Sequence, residues 1–531
     1  MKALSAALAV TVGVGIAGTA VPAAASSHAS NERAVRAVVV VRPGVALPLQ
    51  VSGGRVVAVM RNLGAEVVSA TPSALLALAH DPRVAGMTPD RKGHVASVDK
   101  AGSTKSASAA QAPGVLAANY LGGAAGKQGT GKHVNVALLD TGVSDTAALS
   151  RSSGRITDGV DVSQLASGGP ALTSGHFTDG YGHGTFLASL IAGGKVAGSG
   201  SRALGVAPSA RIVVVKVADD NGITSLSQVL AGMDWVAAHA KAIQVVNLAL
   251  AVDRPTAPAY GADPLTAAVE HVRAAGVVVV AAAGNKAGEV GDPGYDPQAL
   301  TVGAADVTSA SPTVAPFSGS GVVDGVAKPD VVAPGVHVLG MINASSQVAK
   351  THPEGWSAHG LFKGSGTSEA TAVTSGVVAA YLSLHPHASV VQVKSAVRAN
   401  AVRVHSARGG RGLVRMTASL VRHASAKTAG ESGWNHKTWD DNAWTGLPGW
   451  QSHLASMWSG PAWSAVTWSA VTWSAVTWSN SVWSAVSWSA VSWSAVSWSA
   501  VSWSAVTWSA VSWSAVSWSA VSWSDYGWGN T

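Results

Sequence analysis

Between residues 113 and 420, uninterrupted apolar runs alternate with amphipathic stretches, and few folds can hold that order. HVNVALLD, RIVVVKVA, AIQVVNLAL and VVVVAAAGN are strand-length runs dominated by Val, Leu and Ala. A strand without polar alternation must be covered on both faces. The segments between them have a helical period: SLSQVLAGMDWVAAHA places Leu226, Val229, Leu230, Met233, Val236 and Ala237 on one face, and DPLTAAVEHVRAAG closes at Gly276. Strand, helix, strand, helix, strand at this spacing predicts an α/β fold, a doubly wound and mostly parallel sheet with helices on both faces.

The rest of the 531 residues divides around this core. Residues 1–25 carry one early Lys, a long run of small apolar residues and Ala23-Ala24-Ala25, the pattern of a cleaved secretory signal. Residues 26–112 read as a small α+β unit and a linker. RAVVVVRP, AEVVSATPS and VAGMTPD are expected strands; GGRVVAVMRNLG and SALLALAHDP are expected helices, closed by Gly64 and Pro82. DKAGSTKSASAAQAP is an exposed, cleavable connection. Residues 421–457 are a polar linker. In the tail, 458–531, Trp recurs every five residues from Trp458 to Trp528, mostly as Trp-Ser-Ala-Val-Ser/Thr. Period five fits neither a helix face nor a strand face. Stacked solenoid sides, a row of rings for stacking on sugars and an aggregation-prone tail are all consistent with it.

Composition removes some classes of function. A formal charge of +7 spread without a basic stripe gives no case for nucleic-acid binding. The chain has no Cys, which excludes a thiol nucleophile and leaves an exported protein without disulfides.

In a doubly wound sheet, chemistry sits past the carboxyl ends of the strands. Asp140 ends VNVALLD before a Thr-Gly turn, and Asn285 follows VVVVAAAG. His183 lies between two glycines at the head of an apolar helix, and Ser368 stands at the helix start GSGTSEATAVTSG. Singly, each is an ordinary turn or helix-start residue. Together they supply what a hydroxyl nucleophile needs: a base, a carboxylate to fix the base's tautomer and a donor for an oxyanion.

On these residues the chain resembles the subtilisin-like serine proteases. The matching stretches are VALLDTGV, GHGTFLASLIAG, GVAP at 205–208, AAAGN, KPDVVAPG at 328–335 and GTS, and they cover residues 113–420. The resemblance implies Ser368 as nucleophile, His183 as general base, Asp140 as its orienting acid and Asn285 as oxyanion donor. It also implies a substrate-binding edge at Ala249, Leu250 and Ala251, and protein or peptide substrates. The N-terminal unit is similar to the propeptide of such proteases, which inhibits until removed, so a self-inflicted cut is expected between about residues 100 and 113. A secreted, self-processing zymogen follows. Of the tail's three readings, the row of rings favours attachment to cell-envelope or extracellular glycans.

The chain departs from the family pattern in three places. The family commonly has Met-Ala-Ala-Pro-His after the serine, where this chain has Glu369-Ala370-Thr371-Ala372-Val373. The family's Ser-Leu-Gly-Gly wall reads Ala249-Leu250-Ala251-Val252. Calcium often stabilises the family, but no cofactor is required by the chemistry and no metal site is assigned; Asp219, Asp220 and Asp292 read as solvated turn residues. Two rival readings are a sedolisin-like peptidase, opposed by the intact GHGT, and a non-catalytic envelope or glycan-binding protein using the fold as scaffold.

Overall fold

The structure is a computed structural model. It describes residues 34–95, 114–121, 129–200, 202–253, 263–323, 325–357, 359–417 and 420, together with short strands between 462 and 528. The expected signal at 1–25, the connection at 99–113 and the polar linker at 421–457 lie outside the described residues.

The N-terminal unit is a four-stranded antiparallel sheet of β1 (Val35–Val41), β2 (Gly54–Met60), β3 (Ala65–Ala70) and β4 (Val84–Pro89), in the order β2-β3-β1-β4. One helix, Pro72–Ala79, is N-capped by Thr71 through Ala74 N. β2 corrects the helix expected from GGRVVAVMRNLG. Val56, Val57 and Val59 are β-branched and lose χ1 freedom in a helix. A bulge between Val56 and Ala58 in its pairing with β3 breaks the alternation that would have marked a strand. After β4 the chain continues into β5 (Lys92–Val95).

The central sheet is built from β6 (Asn135–Asp140), β7 (Ile156–Asp161), β8 (Arg211–Lys216), β10 (Val245–Leu248), β12 (Val278–Ala282), β13 (Leu300–Asp306) and β14 (Thr313–Val314). Its order is β14-β13-β12-β10-β6-β8-β7, with Val331–Pro334 also beside β13. Every pairing is parallel except β13 with β14. Because successive strand residues point to opposite faces, β6 feeds two cores. Val136 and Leu138 pack with the helices His183–Ala192 and Thr367–Leu384; Ala137 and Leu139 pack with Leu226–Ala238 and Pro264–Ala274. Residues of the N-terminal sheet, among them Val40, Met60 and Val67, join the second core. Asp234 fixes that contact by accepting from Asn62 N at 2.8 Å and Leu63 N at 3.0 Å.

In the tail, short strands recur every five residues from Ala462–Ser464 to Gly527–Trp528. Each of them up to Thr507–Ser509 pairs in parallel with the strand 20 residues on, as Trp463 with Trp483 and Trp483 with Trp503, giving four separate sheets. Among the described residues no helix is long and apolar enough to cross a membrane.

Candidate active site

Asp140, the last residue of β6, is fully buried. A Thr141-Gly142 turn follows, and Gly142 has φ 102°, the left-handed region that favours glycine. A Cβ on Gly142 would also meet Thr178 O at 2.5 Å. The turn lets the loop that precedes the next helix close over the carboxylate. That helix begins at His183, whose Nδ1 lies 2.8 Å from Asp140 Oδ1 and 2.9 Å from Oδ2. Thr141 N also donates to Oδ1 at 2.8 Å.

Sequence reasoning missed Asp179, which holds this loop. Buried, it accepts from Thr141 Oγ1 (2.8 Å), Gly182 N (2.6 Å), Thr185 N (2.7 Å) and Thr185 Oγ1 (2.7 Å). Burial nevertheless raises its pKa above the ordinary carboxylate value. Its sequence signal is an acid four residues ahead of His183 in DGYGHGT, where the free amides of a helix start need acceptors.

Ser368 is the second residue of the helix Thr367–Leu384, which packs against the His183 helix. Its Oγ donates to Ala249 O at 3.3 Å. His183 Nε2 is buried and makes no hydrogen bond among the described residues. The histidine and aspartate are therefore joined, and the serine rests on the loop after β10. Asn285 meets Ser368 through its neighbour: its Oδ1 accepts from Thr367 N at 2.8 Å and Thr367 Oγ1 at 2.9 Å. The oxygen accepts from two donors, and Nδ2 is the donor end of the amide.

Two charges converge on His183 besides Asp140. Burial works against its protonation, but Asp140, then Glu369 and Asp179, outweigh it and hold the imidazole pKa above its ordinary value. Glu369 is itself buried, lying where a Cβ on Gly364 would come within 2.5 Å of its Oε1. It does not point outward to solvent.

The edge that begins at Ala249 is covered. β11 (Leu250–Val252) pairs antiparallel with β5 as Leu250 with Val95, Ala251 with His94 and Val252 with Gly93. β9 (Ile223–Ser225) pairs with the other side of β5. A Cβ on Gly93 would come within 2.8 Å of Ala251 O, so the inserted strand needs a glycine there. Of the acids read as solvated turn residues, Asp219 accepts from Asn221 N and Ile223 N, and Asp220 is exposed beside Lys216. Asp292 is instead buried and ion-paired with Arg91, because the segment ahead of β5 closes over it.

Comparison with known proteins bears on the family of the chain. The profile of the subtilase family matches residues 131–438. Serine protease AprX of Bacillus subtilis (strain 168) is 32% identical over 51% of this chain and 61% of its own. Alkaline elastase YaB of Bacillus sp. (strain YaB) is 32% identical over 55% of this chain and 65% of its own. The chain thus spans somewhat under two thirds of these two relatives. Subtilisin E of Bacillus subtilis (strain 168) is 30% identical over 69% of this chain and 83% of its own. Among solved structures, fervidolysin from Fervidobacterium pennivorans superposes with a TM-score of 0.56 at 21% identity, over 74% of this chain and 61% of that one. That likeness concerns the fold.

Proposed function

This chain belongs to the subtilase family, and from that premise we propose that it is a serine endopeptidase acting through Asp140, His183 and Ser368. The observation that carries the reading is the state of His183. Asp140 takes Nδ1 with both carboxylate oxygens, so the Nδ1–H tautomer is held and Nε2 keeps its lone pair. In the reaction Ser368 Oγ attacks the substrate carbonyl carbon and its proton passes to Nε2. Asn285 Nδ2 and the Ser368 N–H receive the developing oxyanion. Collapse expels the amine, which takes the proton from Nε2 and leaves an acyl-serine; water then repeats the sequence and releases the acid.

The substrate lies along Leu250–Val252 as an added antiparallel strand, the place β5 takes in this chain. The N-terminal unit is on this reading a propeptide and inhibitor. Ala249, on which Ser368 rests, precedes Leu250, the partner of Val95. Continued in that register past Val95, a strand would bring the bond after its next residue to the nucleophile. The expected self-cleavage is therefore Ala96–Ser97, a few residues ahead of the 100–113 stretch expected from the propeptide resemblance and the exposed linker.

A serine-directed phosphonate tests the reading. It should add one adduct mass, mapped to Ser368, in the processed protein, and none in Ser368→Ala; modification elsewhere, or none in the native chain, would overturn it. The non-catalytic alternative has no observation in its favour.

The signal-like residues 1–25 support an extracellular destination. The pairing of tail strands every 20 residues supports the solenoid reading, with four pentapeptides to a turn. A role in holding the enzyme on envelope glycans would require the full chain, and not one ended near Leu420, to be retained on cell-wall material.

A further inference from the structure

Arg91, the residue before β5, is held by a recess that belongs to the protease domain. Its guanidinium spans three acceptors: Nη2 is 2.7 Å from Asp263 Oδ1, and Nη1 is 3.2 Å from Asp292 Oδ2 and 3.1 Å from Asp253 O. The Arg91 side chain is 8% exposed and both carboxylates are fully buried. The acceptors are fixed from outside the N-terminal unit. Asp263 caps the helix Pro264–Ala274 through Leu265 N and receives the Tyr295 hydroxyl. Asp292 is tied to β11, with Val252 N donating to its main-chain oxygen at 3.1 Å. The recess therefore extends the same edge on which β5 lies.

Two features mark it as a seat for a guanidinium in particular. Acceptors on opposite arms of a planar fork suit arginine, whereas the single nitrogen of lysine cannot reach all three. Two buried carboxylates on adjacent elements carry a high desolvation cost that a cation offsets. That cation comes from a segment which, under the reading above, is cut away.

We propose that the Asp263–Asp292 recess is an arginine subsite. It seats Arg91 in the uncut chain. Once that segment leaves, it selects peptides carrying arginine four residues before the residue that pairs with Leu250. The inference rests on the endopeptidase reading for its substrate half and on the geometry alone for its binding half.

Two measurements test these halves separately. The first uses the full chain as it processes itself and two donor–quencher peptides copying residues 88–103, one with Arg and one with norleucine at position 91. The Arg peptide should be favoured in kcat/KM by about tenfold or more, the scale of a charge-assisted pair, with the difference in KM. Asp292→Asn should bring that ratio close to one. Equal cleavage of both peptides by the native chain overturns the proposal.

The second measurement needs no catalysis. In the full chain carrying Ser368→Ala and Arg91→Ala, N-acetylargininamide should raise Tm by about 2 °C or more, and N-acetylnorleucinamide should not. The Ser368→Ala chain with Arg91 in place should not respond. If Arg91→Ala does not fold, Arg91→Gln, which keeps part of the stem and removes the charge, serves with the same expected rescue. No rescue, or rescue by calcium in place of the amide, overturns the subsite. Rescue without cleavage of either peptide upholds the subsite and overturns the endopeptidase reading instead.

Discussion

Ser368 Oγ points at the main-chain oxygen of Ala249, 3.3 Å away, and Ala249 directly precedes the strand that pairs with Val95. The nucleophile and the inserted strand are thus referenced to one segment of backbone, and that reference sets the level at which the chain would cut itself.

The first prediction is a cut with a defined end. The native chain should mature to a form whose N-terminal residue is Ser97, read by N-terminal sequencing, and Ser368→Ala should remain uncut when produced without other proteases. Normal maturation of Ser368→Ala would end the self-processing idea. A mature N-terminus beyond residue 100 would reject the register argument while leaving self-processing intact.

Asn285 supports a second prediction. Its oxygen is committed to Thr367 N and Oγ1, so its chemistry lies in the amide nitrogen. A donor aimed at the oxyanion acts mainly in the transition state, so Asn285→Ala should lower kcat by about 100- to 1000-fold with little change in KM. An effect chiefly on KM would make Asn285 a substrate-binding residue.

A third prediction concerns stability away from the site. Lys328 Nζ is 2.9 Å from Asp330 Oδ2, and both are buried; Lys394 and Arg398 face Oδ1 at 3.6 and 3.5 Å. Burial, only partly offset by Asp330, lowers the Lys328 pKa to about 8. The carboxylate of Asp330, for which burial is outweighed by Lys328 and then Lys394, falls to about 2. The depressed carboxylate contributes stability above its unfolded pKa, and this is lost as pH falls toward 2. The depressed lysine means the unfolded chain binds more protons between pH 8 and its ordinary pKa of 10.5, so stability rises with pH there. Asp330→Asn strands buried cations and should cost about 3–5 kcal/mol at pH 7, less at pH 9.5 as Lys328 sheds its proton. Denaturant midpoints in a Ser368→Ala background would show this; equal costs at both pH values would refute it.

How far these relationships were legible in the sequence depends on their range. Asp140, His183, Asn285 and Ser368 could be read because each sits at the end of a periodic element, where the sheet's topology brings ends together. β2 could not, because its bulge removes the alternation that distinguishes a strand. Arg91 lies in PDRKG, which reads locally as a turn; its partners are 172 and 201 residues later, and nothing local announces them. Asp292 was misread for the same reason, since a buried carboxylate and a solvated one look identical until the covering segment is placed. In the tail the five-residue period was visible, but the 20-residue pairing requires knowing that four steps return the chain to its starting direction.

The last prediction turns on Glu369, the departure from the family pattern beside the nucleophile. It is buried, lies against Gly364, and adds to Asp140 in raising the His183 pKa. The reaction needs neutral His183, so the acidic limb of kcat/KM follows that pKa. Each negative charge near the imidazolium favours the protonated form and moves the limb toward higher pH. Glu369→Gln keeps the shape and removes the charge, so the limb should move to lower pH with the plateau activity retained. The same carboxylate also disfavours a nearby oxyanion, so its removal need not slow the chemical step. High salt should do little to narrow the difference, because both groups are buried and screening acts chiefly between exposed charges. Measuring kcat/KM against pH for the native chain and Glu369→Gln, at low and high ionic strength, decides the matter. An acidic limb that stays in place or moves upward in Glu369→Gln would reduce Glu369 to a helix-start residue without influence on the base.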